Sequence, residues 1–555
     1  MATEQKYSIE SSLKKLFVIL HLERKDIYTI YVFAILAGLV QLSLPLGIQT
    51  IIGFVMAGNI STSIYLLITL VVLGTFCFGL LQVRQMQIIE RIEQKLFVRY
   101  SIAFTDKLPK LNVEKLDKYY LPELVNRYFE TISLQKGIEK LLIDIPSAFV
   151  QIIFGVILLA FYHPAFIGFG ITLLLILFFI IRFTSLDGLV TSIKASDYKY
   201  EMANWIQEVA RVIKQFKYAK TTSLHLQKSD EILNGYLKHR TKYFKILLTQ
   251  YWSLVVFKIL ITGGILILGT VLLLDQKINI GQFVATDIVI LTILNSIEKL
   301  VGNLEKVYDA LTSIEKISKI IDAPVENSGT LQLQENGKGI SVVFKDVNYK
   351  YNQDSDTLNN VTFRINTGEL VLISGLSGAG KSTILRLLSG AYSNFNGNIL
   401  INDVPIGNYD IQSLRDKTGI LLQHQEVFHA TLLENITMGN SEISYEEILS
   451  LAKITGLNSY IETLTNGFDT LIDHQGKKLT NKVVKNIALM RALLGNKRLL
   501  LLESPFDHLN PKEIPDVFSY IKSKKNCSVI IVSQNDYQNL TFNQHLNLLE
   551  GSIIA

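Results

Sequence analysis

The stretch GLSGAGKST, Gly375 to Thr383, decides how this chain is read. It fits the pattern GxxxxGK[ST], in which glycines let backbone N–H groups close around the α and β phosphates of a nucleotide while the lysine reaches the β and γ phosphates. Gly375, Leu376, Ser377, Gly378, Ala379, Gly380, Lys381, Ser382 and Thr383 are therefore candidate phosphate-binding residues, and the Ser382 hydroxyl is a candidate Mg²⁺ ligand. The flanks agree. GELVLIS (Gly368 to Ser374) has the pattern of a buried strand entering the loop. STILRLL (Ser382 to Leu388) has that of an amphipathic helix leaving it, with its N-terminus toward the anion.

Outside this stretch, composition implies a membrane part. Of 555 residues, 49% are hydrophobic and 19% charged, and the mean hydropathy is +0.30. Soluble chains carry charge nearer a quarter of their residues. The net charge of +5 is small and its basic residues gather in particular loops, which membrane orientation explains without a nucleic-acid partner. Cys77 lies in an apolar run and Cys527 in a strand-like stretch, so neither a disulfide framework nor metal spacing is present. The start, MATEQKYSIESSLKK, lacks the order of a cleaved signal, so the first helix is expected to be retained.

Residues around Ser8 to Leu22 are spaced for a surface helix leading into a membrane. Between Asp26 and Arg84 no Asp, Glu, Lys or Arg occurs, and GNISTS (Gly58 to Ser63) divides this interval into two stretches, each able to cross about 30 Å of hydrocarbon. Pro45 and Gly47 mark a kink in the first. A second charge-free interval runs from Asp144 to Arg182 with its break at His163 and Pro164, and a third hairpin turns at DQKINIG, Asp275 to Gly281. Spans are expected near 27–55, 64–90, 141–162, 164–185, 246–274 and 281–300. The outer turns carry only Lys277, whereas the connections Arg84 to Lys140 and Arg182 to Lys245 are basic, so these connections and both termini are expected in the cytoplasm. At about 1.5 Å per helical residue, connections this long project tens of ångströms past the bilayer. Their turning points, near Leu116 to Leu124 and Tyr198 to Ile206, are expected to dock on the nucleotide-binding part. Lys258 and Asp287 fall inside the third hairpin at depths differing by roughly 15 Å, so a direct pair between them is not expected. Snorkelling toward opposite interfaces is the simpler reading for both, and a cavity-facing role the alternative.

VENSGTLQLQENGKG (Val325 to Gly339) reads as a polar linker, after which short β-branched strands alternate with helices. The fold class is thus an all-α six-helix transmembrane domain, 1–324, followed by an α/β P-loop nucleotide-binding domain, 340–555. With these parts in this order the chain resembles the ATP-binding cassette transporters, specifically exporter half-transporters.

The resemblance implies ATP and Mg²⁺ as ligands, and further roles at matching positions. Tyr351 in VNYKYN stands where an aromatic stacks on adenine, and Gln423 in GILLQHQEVF where a glutamine touches Mg²⁺. In LLLLESPFDHLN (Leu499 to Asn510), Glu503 replaces the magnesium-binding aspartate and Ser504 the glutamate that polarises the attacking water. Serine has no accessible basic form at neutral pH, and loss of a general base costs about a hundred- to ten-thousand-fold. The glycine-rich signature is LTNKV here (Leu479, Thr480, Asn481, Lys482, Val483), which puts the Asn481 and Lys482 side chains where backbone N–H groups of glycines would approach the opposite subunit's γ phosphate. Gln534 replaces the switch histidine, and Asn510 an aspartate.

A homodimer, or a heterodimer with a second half-transporter, follows from the resemblance, in a bacterial-type inner membrane. LPLGIQ is weakly similar to secretion-type exporters that work with a periplasmic adaptor. ATP would be bound and hydrolysed slowly while an unidentified substrate is exported. The alternative is an ATP-binding membrane regulator or scaffold that does not transport.

Overall fold

The computed structural model describes residues 9–58, 62–116, 121–184, 186–219, 222–334, 337–352, 355–423, 425–473 and 476–554. It divides into a helical unit, Met1–Lys110 with Lys118–Ala323, and a cassette unit, Leu111–Asp117 with Pro324–Ala555.

In the helical unit the surface helix Ile9–His21 is tied to the helix Leu304–Ile321, because Ser12 Oγ (2.8 Å) and Lys15 Nζ (3.0 Å) both donate to the Glu315 carboxylate. The first apolar stretch is two helices, Arg24–Gln41 and Ser43–Met56. The break lies just before Pro45, whose ring clashes with the carbonyl four residues earlier, that of Gln41. Gly47 permits close approach there: a Cβ would stand 2.1 Å from Val71 Cγ2 of the next helix. That helix, Thr62–Lys107, runs unbroken for 46 residues, and Leu224–Leu274 for 51. At about 1.5 Å per residue both far exceed a hydrocarbon layer of about 30 Å, so their polar ends extend beyond it.

Among the described residues five helical segments are long and apolar enough to cross a membrane: Arg24–Met56, Thr62–Lys110, Leu124–Tyr162, Leu224–Leu274 and Ile280–Ile321. The stretch expected as the fourth span is the 20-residue helix Ala165–Thr184, entered after His163 adopts an extended backbone. Asn279 and Gln282 form a reciprocal capping box that starts the helix Ile280–Gly302 after the outer turn. The turn GNISTS and the turning point from Leu116 each include residues outside the described set, 59–61 and 117–120. The second turning point, Tyr198 to Ile206, lies within the helix Leu186–Arg211.

Lys258 does not pair with Asp287. Its ammonium meets Glu298 Oε2 at 2.5 Å, joining the helices Leu224–Leu274 and Ile280–Gly302.

The cassette holds two sheets. In the four-stranded one, β1 (Val342–Asn352) lies between β2 (Ser355–Ile365) and β4 (Asn396–Ile401), with β5 (Val404–Pro405) outermost. The six-stranded sheet has the order β10-β9-β3-β8-β7-β6. Its parallel members are β3 (Leu370–Ser374), β6 (Thr418–Leu421), β7 (Leu499–Glu503), β8 (Ser528–Ser533) and β9 (Gln544–Leu549), and β10 (Ser552–Ile554) is antiparallel. Alternate residues of the central strands serve different cores. Leu372, Leu500 and Leu502 pack with the helix Asn481–Leu493, while Ile373, Leu499 and Leu501 pack with the helix Lys381–Leu388. Burial of both faces explains why these strands read as continuous apolar runs.

The segment read as a linker is bonded along the cassette. Glu326 accepts a bidentate pair from Arg415 (2.7 and 2.8 Å), and Leu331 bridges to Tyr409; residues 335–336 lie outside the described set. Leu111–Asp117 also belongs to this unit. Glu114 accepts from Tyr349 OH at 3.2 Å and from the Ser393 and Asn394 N–H groups at 2.9 and 3.3 Å.

Removing one partner of the half-buried Lys258–Glu298 pair leaves the other charge without its counter-ion, which costs more than losing the pair. Lys258→Met and Glu298→Gln should each lower the thermal unfolding temperature in lipid nanodiscs, and Lys258→Met/Glu298→Leu should lie closer to wild type than either. Additive losses would contradict the pairing.

Candidate functional site

The phosphate loop sits at the C-terminal end of β3, where parallel sheets place their ligands. Its glycines are needed for geometry. Gly378 and Gly380 have φ of 84° and 101°, and a Cβ on Gly380 would lie 2.7 Å from Thr357 O. Gly380 caps the helix Lys381–Leu388, so the first N–H groups of that helix face the loop. The Lys381 ammonium donates to the carbonyls of Gly375 and Leu376, each at 2.7 Å, and is curled over the loop. Burial lowers its pKa, with Glu503 pulling the other way.

Glu503, at the end of β7, joins the three candidate metal-binding positions. Ser382 Oγ donates to Glu503 Oε1 at 2.5 Å, and the Gln423 N–H donates to Oε2 at 2.9 Å. A hydroxyl, a carboxylate and the Gln423 side-chain amide are all hard oxygen donors, a set that suits Mg²⁺ with nucleotide phosphates completing its shell. Tyr351 stands alongside. Its hydroxyl lies 3.1 Å from Thr383 Oγ1 and accepts from Arg386 at 2.9 Å, while its ring meets Tyr349 and Tyr392 edge-on at 5.1 and 5.6 Å. Tyr351 as a whole remains 38% exposed, which leaves surface for a base to stack.

Ser504 is held in the left-handed region, φ 46°, with its N–H bonded to Val532 O at 2.8 Å. Such a conformation is uncommon for a residue other than glycine. The carboxylates that follow are engaged elsewhere. Asp507 Oδ1 accepts from Tyr537 OH at 2.9 Å, and Glu513 accepts from Lys482 through both oxygens at 2.9 Å and from Asn510 N and Nδ2 at 2.8 and 2.7 Å. In this structure the Lys482 side chain is thus turned to Glu513 of its own cassette. Burial alone would raise the Glu513 carboxyl, but the Lys482 and Asn510 bonds outweigh it and hold it below its ordinary range. Thr480 caps the helix Asn481–Leu493, accepting from Val483 N–H, Leu479 packs at the edge of the core, and Gln534 is exposed just after β8.

Two features escaped sequence reasoning. The Lys482–Glu513–Asn510 clasp links positions 31 residues apart along the chain, a separation with no periodic signal. His508 is half-buried, its enclosed ring nitrogens without a hydrogen-bond partner among the described residues, and its pKa is pushed down to about 4 by burial and by nearby Lys485 and Lys482.

With this geometry established, comparison with known proteins places the chain. The ABC transporter family model matches residues 358–507, and the model of the ABC transporter transmembrane region matches 27–297. The chain belongs to the ABC transporter family, with a transmembrane region fused to one cassette. It is 28% identical over 270 residues to the alpha-hemolysin translocation ATP-binding protein HlyB of Escherichia coli, covering 48% of this chain and 38% of that protein. It is 33% identical over 224 residues to the ATP-dependent lipid A-core flippase of Saccharophagus degradans, covering 40% and 38%. The matched part is therefore under half the length of these relatives. A solved structure of a bacterial Atm1-family ABC exporter with ATP bound superposes with a TM-score of 0.85 at 20% identity, covering 96% of this chain and 94% of that one. At that identity the likeness establishes the fold.

Two measurements check the site. Lys381→Ala should abolish binding of a fluorescent ATP analogue by the purified protein, and wild-type affinity would refute the loop assignment. His508 takes up a proton more readily when unfolded (ordinary pKa 6.5) than when folded (about 4), so it removes stability as pH falls through that window. The drop in unfolding temperature between pH 6.5 and pH 5 should be smaller in His508→Gln than in wild type; an equal drop would show that His508 does not contribute.

Proposed function

We propose that the chain is half of an exporter in a bacterial-type inner membrane, with both termini cytoplasmic, and that it binds ATP tightly but hydrolyses it slowly. Six spans and one cassette make half of the usual assembly, so the working unit is a homodimer or a heterodimer with a second half-transporter. The observation that carries this reading is the Glu503 carboxylate, bonded to Ser382 and Gln423 beside an intact phosphate loop and followed by Ser504.

In this reading the loop N–H groups and Lys381 hold the phosphates, and Tyr351 stacks on the base. Ser382, Gln423 and Glu503 would hold Mg²⁺, which neutralises charge on the β and γ phosphates when bound. Glu503 takes the position of the metal-binding carboxylate, and Ser504 offers no base for water. The relatives' printed roles, toxin translocation and lipid A-core flipping, frame the class of work without selecting a substrate, and a periplasmic adaptor is a candidate partner.

The second reading, an ATP-binding regulator or scaffold that does not transport, is favoured by the clasp. Lys482 and Asn510, both departures from the family pattern, are bonded to the same Glu513 carboxylate.

Purified in lipid, the wild-type protein should bind ATP with turnover about a hundred- to ten-thousand-fold below a sound cassette exporter, and Ser504→Glu should raise turnover without changing ATP affinity. Brisk hydrolysis by the wild type would overturn the proposal.

A further inference from the structure

The helical unit contains a cavity of about 180 Å³ among the helices Glu130–Glu139, Leu186–Arg211, Leu224–Leu274 and Leu304–Ile321. Helices in a bundle normally turn apolar faces inward. Here they turn polar faces inward at helical spacing: Ser192, Ser196 and Lys199 from one helix, Tyr236, Arg240 and Tyr243 from the next. Glu130 and Asp309 are contributed by the other two.

Part of this lining is already satisfied. Glu130 accepts from Lys199 Nζ and Tyr200 OH, each at 2.7 Å, and from Ser313 Oγ at 2.6 Å. Other groups are left over. Tyr243 is 1% exposed, and among the described residues neither its hydroxyl nor the enclosed Ser196 hydroxyl has a partner. A buried polar group without a partner is costly, so two around one cavity point to an occupant that bonds them. Arg240 lies over the Tyr243 ring at 5.3 Å and reaches Glu305 only at 3.7 Å, and Asp309 reaches Lys306 only at 3.7 Å. A cation and an anion are therefore both available to a ligand.

The cavity is smaller than drug-sized pockets of about 300–1,000 Å³ and larger than the space of one water. We propose that it binds a small zwitterion of amino-acid or dipeptide size, its carboxylate meeting Arg240 and the Tyr243 and Ser196 hydroxyls and its primary ammonium meeting Asp309. All these groups belong to the helical unit, so the site is independent of the reading of the cassette.

The test uses the full chain in lipid nanodiscs, with thermal unfolding followed during titration with glycine, glycylglycine, N-acetylglycine and glycinamide. Glycine or glycylglycine should give a saturable rise in unfolding temperature. N-acetylglycine, which lacks the ammonium, and glycinamide, which lacks the carboxylate, should bind about tenfold more weakly. Tyr243→Phe keeps the ring, and Arg240→Gln keeps a polar side chain; each should weaken the zwitterion about tenfold while leaving ATP binding, the control for folding, unchanged. No saturable shift with either zwitterion would overturn the proposal. So would equal binding of N-acetylglycine, which would mark a plain anion site, or zwitterion affinity that neither variant alters.

Discussion

The cassette is organised by one carboxylate at the end of a buried strand. Glu503 closes β7 and bonds both the Ser382 hydroxyl of the phosphate-loop helix and the Gln423 N–H beyond β6. These bonds fix the separation of three elements that must act together on one nucleotide. Everything proposed about ATP depends on that convergence, because the glycines shape the loop and the carboxylate positions its partners.

Around this core the side chains nearest the phosphate loop are engaged with one another. Ser504 keeps a strained backbone but supplies no carboxylate, and the acidic side chains nearby are committed to Tyr537, Lys482 and Asn510. The Leu111–Asp117 segment meets the same cassette at Tyr349, which stacks on Tyr392 with ring centroids 5.7 Å apart and touches Tyr351 edge-on.

Much of this was legible because local patterns carried it. The phosphate loop, the charge-free intervals, the kink before Pro45 and the continuous apolar runs of β3, β7 and β8 follow from spacing and composition alone. Partners distant in sequence were not legible. Lys258 stood out as a charge inside an apolar stretch, but nothing in the spacing selects Glu298, 40 residues on and in another helix, as its partner. Lys482 looked like an intruder in the signature until Glu513 was seen to hold it. The connection Arg182 to Lys245 reads in sequence only as basic, and packing alone shows Tyr243 of Leu224–Leu274 buried.

The proposal that this chain grips a triphosphate and cleaves it slowly is tested most directly by the fate of the nucleotide it retains. The purified protein would be incubated with ATP and Mg²⁺ in lipid and freed of unbound nucleotide, and the bound nucleotide would be resolved by chromatography at successive times. Bound ATP should decay to ADP about a hundred- to ten-thousand-fold more slowly than on a sound cassette exporter. Decay as fast as on a sound exporter, from protein shown free of other ATPases, would contradict the proposal.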